Sequence, residues 1–205
     1  MRFLRSTAQA MLAAVVLAPS LTAQTSPDSV ASPAPHYWRD FAAGFAASLL
    51  AHEGAHIGTS LALGAHPTFG FDKGRPTVYS GINAQTDPHK QFLFSSMGLN
   101  VQAAIDEAVL DVPHQRGAPF ERGVLASGIA TALFYITIGR TASVSDVDFM
   151  ARTSSLTKTD ISLIYGGVAL LHTIRMSRDG HYADFFVRPG PMNEHGLRVG
   201  VHVDQ

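Results

Sequence analysis

Residues 41–63 read FAAGFAASLLAHEGAHIGTSLAL, and this stretch decides the fold. It is rich in Ala and Leu, and the longer run 41–71 holds one formal charge, Glu53. The composition predicts a helix from Phe41 to Leu63, with Gly64 as the residue past its end and Pro67 blocking continuation. At about 1.5 Å per residue such a helix is long enough to cross a bilayer. Its centre is His52-Glu53-Gly54-Ala55-His56. Residues four apart share a helical face, so His52 and His56 can aim two imidazoles at one ion. Zinc accepts neutral imidazole nitrogen at about 2.0–2.1 Å and, in catalytic sites, keeps a water position beside a third protein ligand. Glu53 is turned about 100° from His52 around the helix, which suits a general base acting on that water better than a ligand.

In a chain with 10 His and 4 Glu among 205 residues, chance supplies this motif only about 0.01 times. The competing reading is two core histidines and an accidental Glu. It fits poorly, because a carboxylate and two imidazoles in an apolar helix are costly to bury without partners or a metal. Gly54 and Gly58 also form a small-x-x-x-small pair that would admit a second backbone. Glycine is common here, at 18 residues, so an incidental pair is the equal alternative.

Working outward, Thr68-Phe69-Gly70-Phe71 and Thr77-Val78-Tyr79-Ser80 flank a Gly/Pro turn and predict a β-hairpin. Further helices are expected over Pro88–Leu110, Phe120–Ile138, a short Asp146–Ser154, and Thr159–Met176. After residue 178 the tail alternates in a β-like pattern, around Phe185–Val187 and Leu197–Val203. The uncharged runs in the later helices cover 15, 17 and 14 residues, marginal for membrane spans and ordinary for a buried core. The expected architecture is mainly α, a membrane-embedded bundle of about four helices with a small hairpin and a β-like tail. A soluble bundle is the alternative.

Upstream, residues 1–23 have the form of an export signal, with Arg2 and Arg5, an apolar Met11–Ala18, and small residues before Gln24. An uncleaved first membrane helix is the other reading. Residues 24–40 are expected to be a flexible linker rich in Ser, Pro and Ala. The signal's shape predicts export to the bacterial periplasmic side, and with the apolar helices the expected location is the cell membrane. Charged residues make up 15%, against roughly 25% for soluble chains, and mean hydropathy is +0.11. A net charge of −1 and the lack of any basic stripe give no case for nucleic acid. With no cysteine, disulfides, thiolate metal sites, a Cys nucleophile and a lipoprotein anchor are excluded.

Taken together, the zinc motif inside an apolar helix, the Gly-ended helix followed by Phe69-Gly70-Phe71, and the order of later segments resemble the site-2 protease class of intramembrane zinc metalloproteases. The resemblance spans about Phe41 to Met176, and its specific part is the five-residue motif. It implies Zn²⁺ as cofactor, His52 and His56 as ligands, Glu53 as catalytic base, and a membrane-associated polypeptide as substrate, with membrane lipid as surroundings. It implies that Thr68–Ser80 lines the site, where a peptide can pair as an added strand. Gly98-Leu99-Asn100 is only loosely similar to the family's Gly-Pro-x-x-Asn element. The family's third ligand is an Asp before a late helix, which corresponds to Asp146 here, although the flanking Asn-Pro and Gly are missing. Ser-x-x-Asp also reads as a helix cap, at Ser143/Asp146 and Ser145/Asp148, and Asp148 is an alternative ligand.

Competing third ligands are Asp106 and Glu107. They lie on a polar stripe with Asn100 and Gln102, and a soluble zincin would take a Glu from such a following helix. His172, alone on an apolar face, reads as a core residue. Two other functions stay open: a soluble periplasmic zincin-like hydrolase using Glu107, and a non-catalytic helical membrane protein binding a metal or haem.

Overall fold

The computed structural model of the chain describes residues 36–202 apart from 73, 115, 143, 183 and 190–196. The expected signal segment, most of the linker, and Ser143 lie outside the described residues. The chain forms α1 (Tyr37–Ala62), β1 (Thr68–Asp72), β2 (Arg75–Tyr79), α2 (Pro88–Asp111), α3 (Pro119–Ile136), a 3-10 turn (Gly139–Thr141), α4 (Asp146–Arg152) and α5 (Lys158–Arg178). In the tail, β3 (Asp184–Pro189) pairs with β4 (Leu197–His202). The mainly helical class and the antiparallel hairpin match the expectation, with Phe69 opposite Val78 and Gly70 opposite Thr77.

Helix α1 begins at Tyr37, inside the expected linker. Tyr37 is buried, meets Trp38 edge-on at 5.1 Å and stacks on Phe41 at 6.4 Å. That aromatic cluster gives the first turn something to pack on. At the other end Gly64 takes φ 76°, a left-handed conformation that suits glycine past a helix end.

The buried side of α1 is a row at four-residue spacing: Gly44, Ser48, His52, His56 and Ser60. Its large apolar residues point the other way, and Leu49, Leu50, Ile57 and Leu61 are exposed, Leu50 by 72%. The same inversion recurs on α5, where His172 is buried while Leu163, Ile164 and Leu171 are exposed. Among the described residues, no helix is long and apolar enough to cross a membrane, so the expectation that α1 spans a bilayer is corrected. Its 26 residues give enough length; the two histidines and Glu53 at its middle lower its hydropathy.

The row of small residues lets α3 lie directly on α1. A Cβ at Gly44 would sit 1.9 Å from the Phe120 carbonyl oxygen, and one at Gly123 would sit 2.0 Å from that of Phe41. Gly54 and Gly58 have nothing within 4 Å of that position, so the close approach occurs one helical region earlier than their spacing suggested.

Behind the motif, Leu99 of α2, Val147 and Met150 of α4 and Ile161 of α5 form a buried apolar cluster, backed by Phe92, Tyr135 and Tyr165. This cluster fixes the short α4, and Ser145 caps it by accepting the Asp148 N–H at 3.2 Å. Helix α5 opens with a capping box between Thr157 and Asp160. The hairpin is tied down by a polar chain. Ser60 donates to the Ser80 carbonyl at 2.7 Å, Ser80 to Gln91 Oε1 at 2.7 Å, and Gln91 to Ser95 Oγ at 3.0 Å.

Gly44→Ala and Gly123→Ala are expected to destabilise the fold by about 1–3 kcal/mol each, as overpacking does. Gly58→Ala, the same change on an open helix face, should stabilise by roughly 0.5–1 kcal/mol. Denaturant midpoints of the three variants check this contrast.

Candidate metal centre

The four-residue row on α1 puts His52 and His56 side by side facing α2 and α4, and both are 3% exposed. Each outer nitrogen meets an oxygen of α2: His52 Nδ1 lies 2.9 Å from Gln102 Oε1, and His56 Nδ1 lies 2.8 Å from the Phe94 carbonyl. A backbone carbonyl can only accept, so His56 Nδ1 carries a proton, and in the neutral ring it is Nε2 that presents the lone pair. The two Nε2 atoms are 3.1 Å apart. Asp146 Oδ2, from the first residue of α4, lies 3.2 Å from His52 Nε2 and 3.3 Å from His56 Nε2.

Three donor atoms thus converge from helices far apart in sequence, and this buried group of His52, His56 and Asp146 could hold a metal ion. The size fits a small tetrahedral ion. Ligands at about 2.0–2.1 Å in tetrahedral geometry stand about 3.3 Å from one another, close to the three separations found here. The space in front of the donors is kept by Gly98. A Cβ there would lie 2.5 Å from Nε2 of both histidines, so any larger residue would occupy the point of convergence. Gly98 therefore acts through its missing side chain. Asn100, two residues on, accepts a hydrogen bond from the Tyr165 hydroxyl at 2.9 Å instead.

The electrostatics follow from burial and this crowding. Burial alone would raise the Asp146 carboxyl, but the imidazoles of His56 and His52 outweigh it and hold the group well below the usual carboxylate range. Burial also pushes the half-buried Glu53 carboxyl up, with His52 and His56 partly offsetting it. A carboxylate raised in this way is a better proton acceptor at neutral pH. Tyr165 is pushed up to about 12 by burial and by the nearby Asp146.

The other acidic candidates are engaged elsewhere. Asp148 is buried between Arg152 and Lys158, with Lys158 Nζ at 2.5 Å from Oδ1, and so pins α4 to α5. Asp106 Oδ2 lies 3.4 Å from His172 Nδ1, and Glu107 Oε1 lies 3.0 Å from His172 Nε2. Glu107 also pairs with Arg175, which reaches Asp111. The pairing with Arg175 and His172 holds Glu107 below the usual range. His172 is thus a buried core residue with a carboxylate on each nitrogen. Neither Asp106 nor Glu107 belongs to the three-donor group.

The sequence pattern placed Gln102 on a polar stripe but gave it no role, and it gave no sign of the Phe94 carbonyl, a backbone atom. Tyr135, which stacks on His52 with ring centroids 6.0 Å apart, sits on α3 among apolar residues that carry no distinguishing signal. No family model, curated protein or solved structure matches this chain.

Zinc at a hundred times its dissociation constant should stabilise the wild-type fold by about 2.7 kcal/mol, raising the melting temperature. In Gly98→Ala that rise should vanish while the helical circular dichroism persists. A zinc-dependent shift of the same size in the variant would contradict the role given to Gly98.

Proposed function

We propose that this protein is a zinc-dependent hydrolase of the metalloprotease kind, similar to site-2 proteases, acting on peptide bonds of a membrane-associated polypeptide. The observation that carries the reading is the convergence of His52, His56 and Asp146 within 3.1–3.3 Å at a space cleared by Gly98, with Glu53 one residue from the first donor.

Zinc bound there supplies Lewis-acid chemistry, lowering the pKa of a bound water and polarising a carbonyl. The rest of the work falls to the chain. His52, His56 and Asp146 hold the ion through two neutral nitrogens and one anionic oxygen. Glu53 takes the proton from the attacking water as the carbon–oxygen bond forms. It then delivers that proton to the amide nitrogen as the carbon–nitrogen bond breaks, so no proton is gained or lost. Burial, which raises the Glu53 carboxyl, brings its affinity for a proton closer to what both transfers require.

The exposed Leu50, Ile57 and Leu61 of α1 and Leu163, Ile164 and Leu171 of α5 support a location against membrane lipid, where apolar side chains on two helix faces need no cover. Together with the export-like segment at residues 1–23, they favour the periplasmic side of a bacterial membrane.

Glu53→Gln is expected to keep its zinc and fold and to lose about 10²–10⁴ in rate, whereas Asp146→Asn should also release zinc. Cleavage of a membrane-anchored peptide is measured beside zinc content for each variant. Wild-type activity in Glu53→Gln would overturn the mechanism. In cell fractionation the protein should be recovered with membranes; recovery in the soluble periplasmic fraction would overturn the location.

A further inference from the structure

We infer that Gln102 is the positioning residue that makes His52 a metal donor, and the inference rests on the metal reading above. A neutral imidazole carries one proton on one of two nitrogens, and it can bind an ion only through the bare one. For His56 the choice is closed by the Phe94 carbonyl. For His52 it is open, because its outer nitrogen faces an amide, and an amide can present either a carbonyl or an NH₂ group.

In the structure the NH₂ end of that amide meets hydroxyls and its carbonyl end meets the ring. Gln102 is 2% exposed. Its NH₂ group donates to Ser48 Oγ of α1 at 3.0 Å, and lies 3.4 Å from Thr131 Oγ1 and 3.5 Å from Ser127 Oγ, both of α3. Three hydroxyl oxygens from two helices gather at the NH₂ end, and the carbonyl end faces His52 Nδ1 at 2.9 Å. An ion bound through His52 Nε2 takes the place of the proton that Nε2 shares with Asp146 at 3.2 Å, and Nδ1 then keeps its own proton and donates it to Gln102 Oε1. With the amide reversed, an NH₂ group would face that N–H and the metal-bound ring would lose its acceptor.

The identity of the residue also sets the strength of the site. A carboxylate behind a metal-bound imidazole raises its basicity, while a neutral amide orients the ring and leaves it a weaker donor. Two substitutions therefore move affinity in opposite directions. Gln102→Met, similar in shape but without an acceptor, should weaken Co²⁺ and Zn²⁺ binding by about 10–100-fold. Gln102→Glu, which keeps the acceptor and adds charge, should bind at least as tightly as wild type. A residue that merely packed would lose no affinity in Gln102→Met, which preserves the packing.

The test is competition of each folded protein against a chromophoric chelator, with ¹⁵N NMR of His52 in the zinc-loaded wild type. The expected results are the opposed affinities, together with zinc on Nε2 and the proton on Nδ1 of His52. Gln102→Met binding within twofold of wild type would overturn the proposal. So would Gln102→Glu binding as weakly as Gln102→Met, or zinc bound through His52 Nδ1. Failure of the metal reading looks different: no protein, wild type included, then takes up either ion, and the proposal falls with it.

Discussion

Burying a polar row in the middle of an apolar helix is the constraint on which the rest of this structure depends. Ser48, His52, His56 and Ser60 occupy successive turns of one face of α1, and each has groups that cannot be left without partners away from water. The surrounding elements answer that need one by one. Gln102 meets Ser48 and His52, the Phe94 carbonyl meets His56, and the hairpin's Ser80 carbonyl meets Ser60. The positions of α2 and the hairpin are therefore consequences of a hydrogen-bonding requirement as much as of apolar packing. Only the inner nitrogens of the two histidines point at each other and at a carboxylate rather than at complementary donors.

Helix α2 carries most of this burden. Along it, Gln91, Ser95, Gly98, Gln102 and Asp106 are buried, a second polar row laid against the first. Its far end solves a different problem: Asp106, Glu107 and His172 neutralise one another, with Arg175 completing the set at the surface. The two halves of α2 thus serve separate functions, one framing the convergence of donors and the other fastening α5. Asp148 does comparable fastening for α4 through Lys158 and Arg152.

Much of this was legible in the sequence because it depends on local rules. The helices, the hairpin and the pairing of His52 with His56 follow from spacing, turn residues and Pro or Gly punctuation. The start of α1 was placed four residues late, because Tyr37 and Trp38 stabilise a turn through mutual packing that linker-like composition conceals. Gly54 and Gly58 drew attention by their spacing, yet Gly44 and Gly123 make the close contact, since which glycine meets a neighbour depends on where α3 crosses. Gly98 and Gln102 were visible as residues, but their roles depend on the registry of α2 against α1. The nearly uncharged stretch of α1 pointed to membrane crossing, whereas the histidines that define its centre dilute the very hydropathy a span requires.

The Asp146 carboxylate enters the centre from 94 residues downstream of His52. An ion shared by the two would act as a cross-link closing a very long loop, and the entropy of closing such a loop grows only slowly with its length. In assembly, the first 140 residues supply two donors and a cleared space but no third donor. Completion waits for the 3-10 turn and the short α4 to dock on the cluster of Leu99, Met150 and Ile161. Metal capture by these three donors would therefore require α4 in place. A nascent chain emerging N-terminus first would carry an incomplete centre until Asp146 had been made and docked, and metal loading would then follow synthesis.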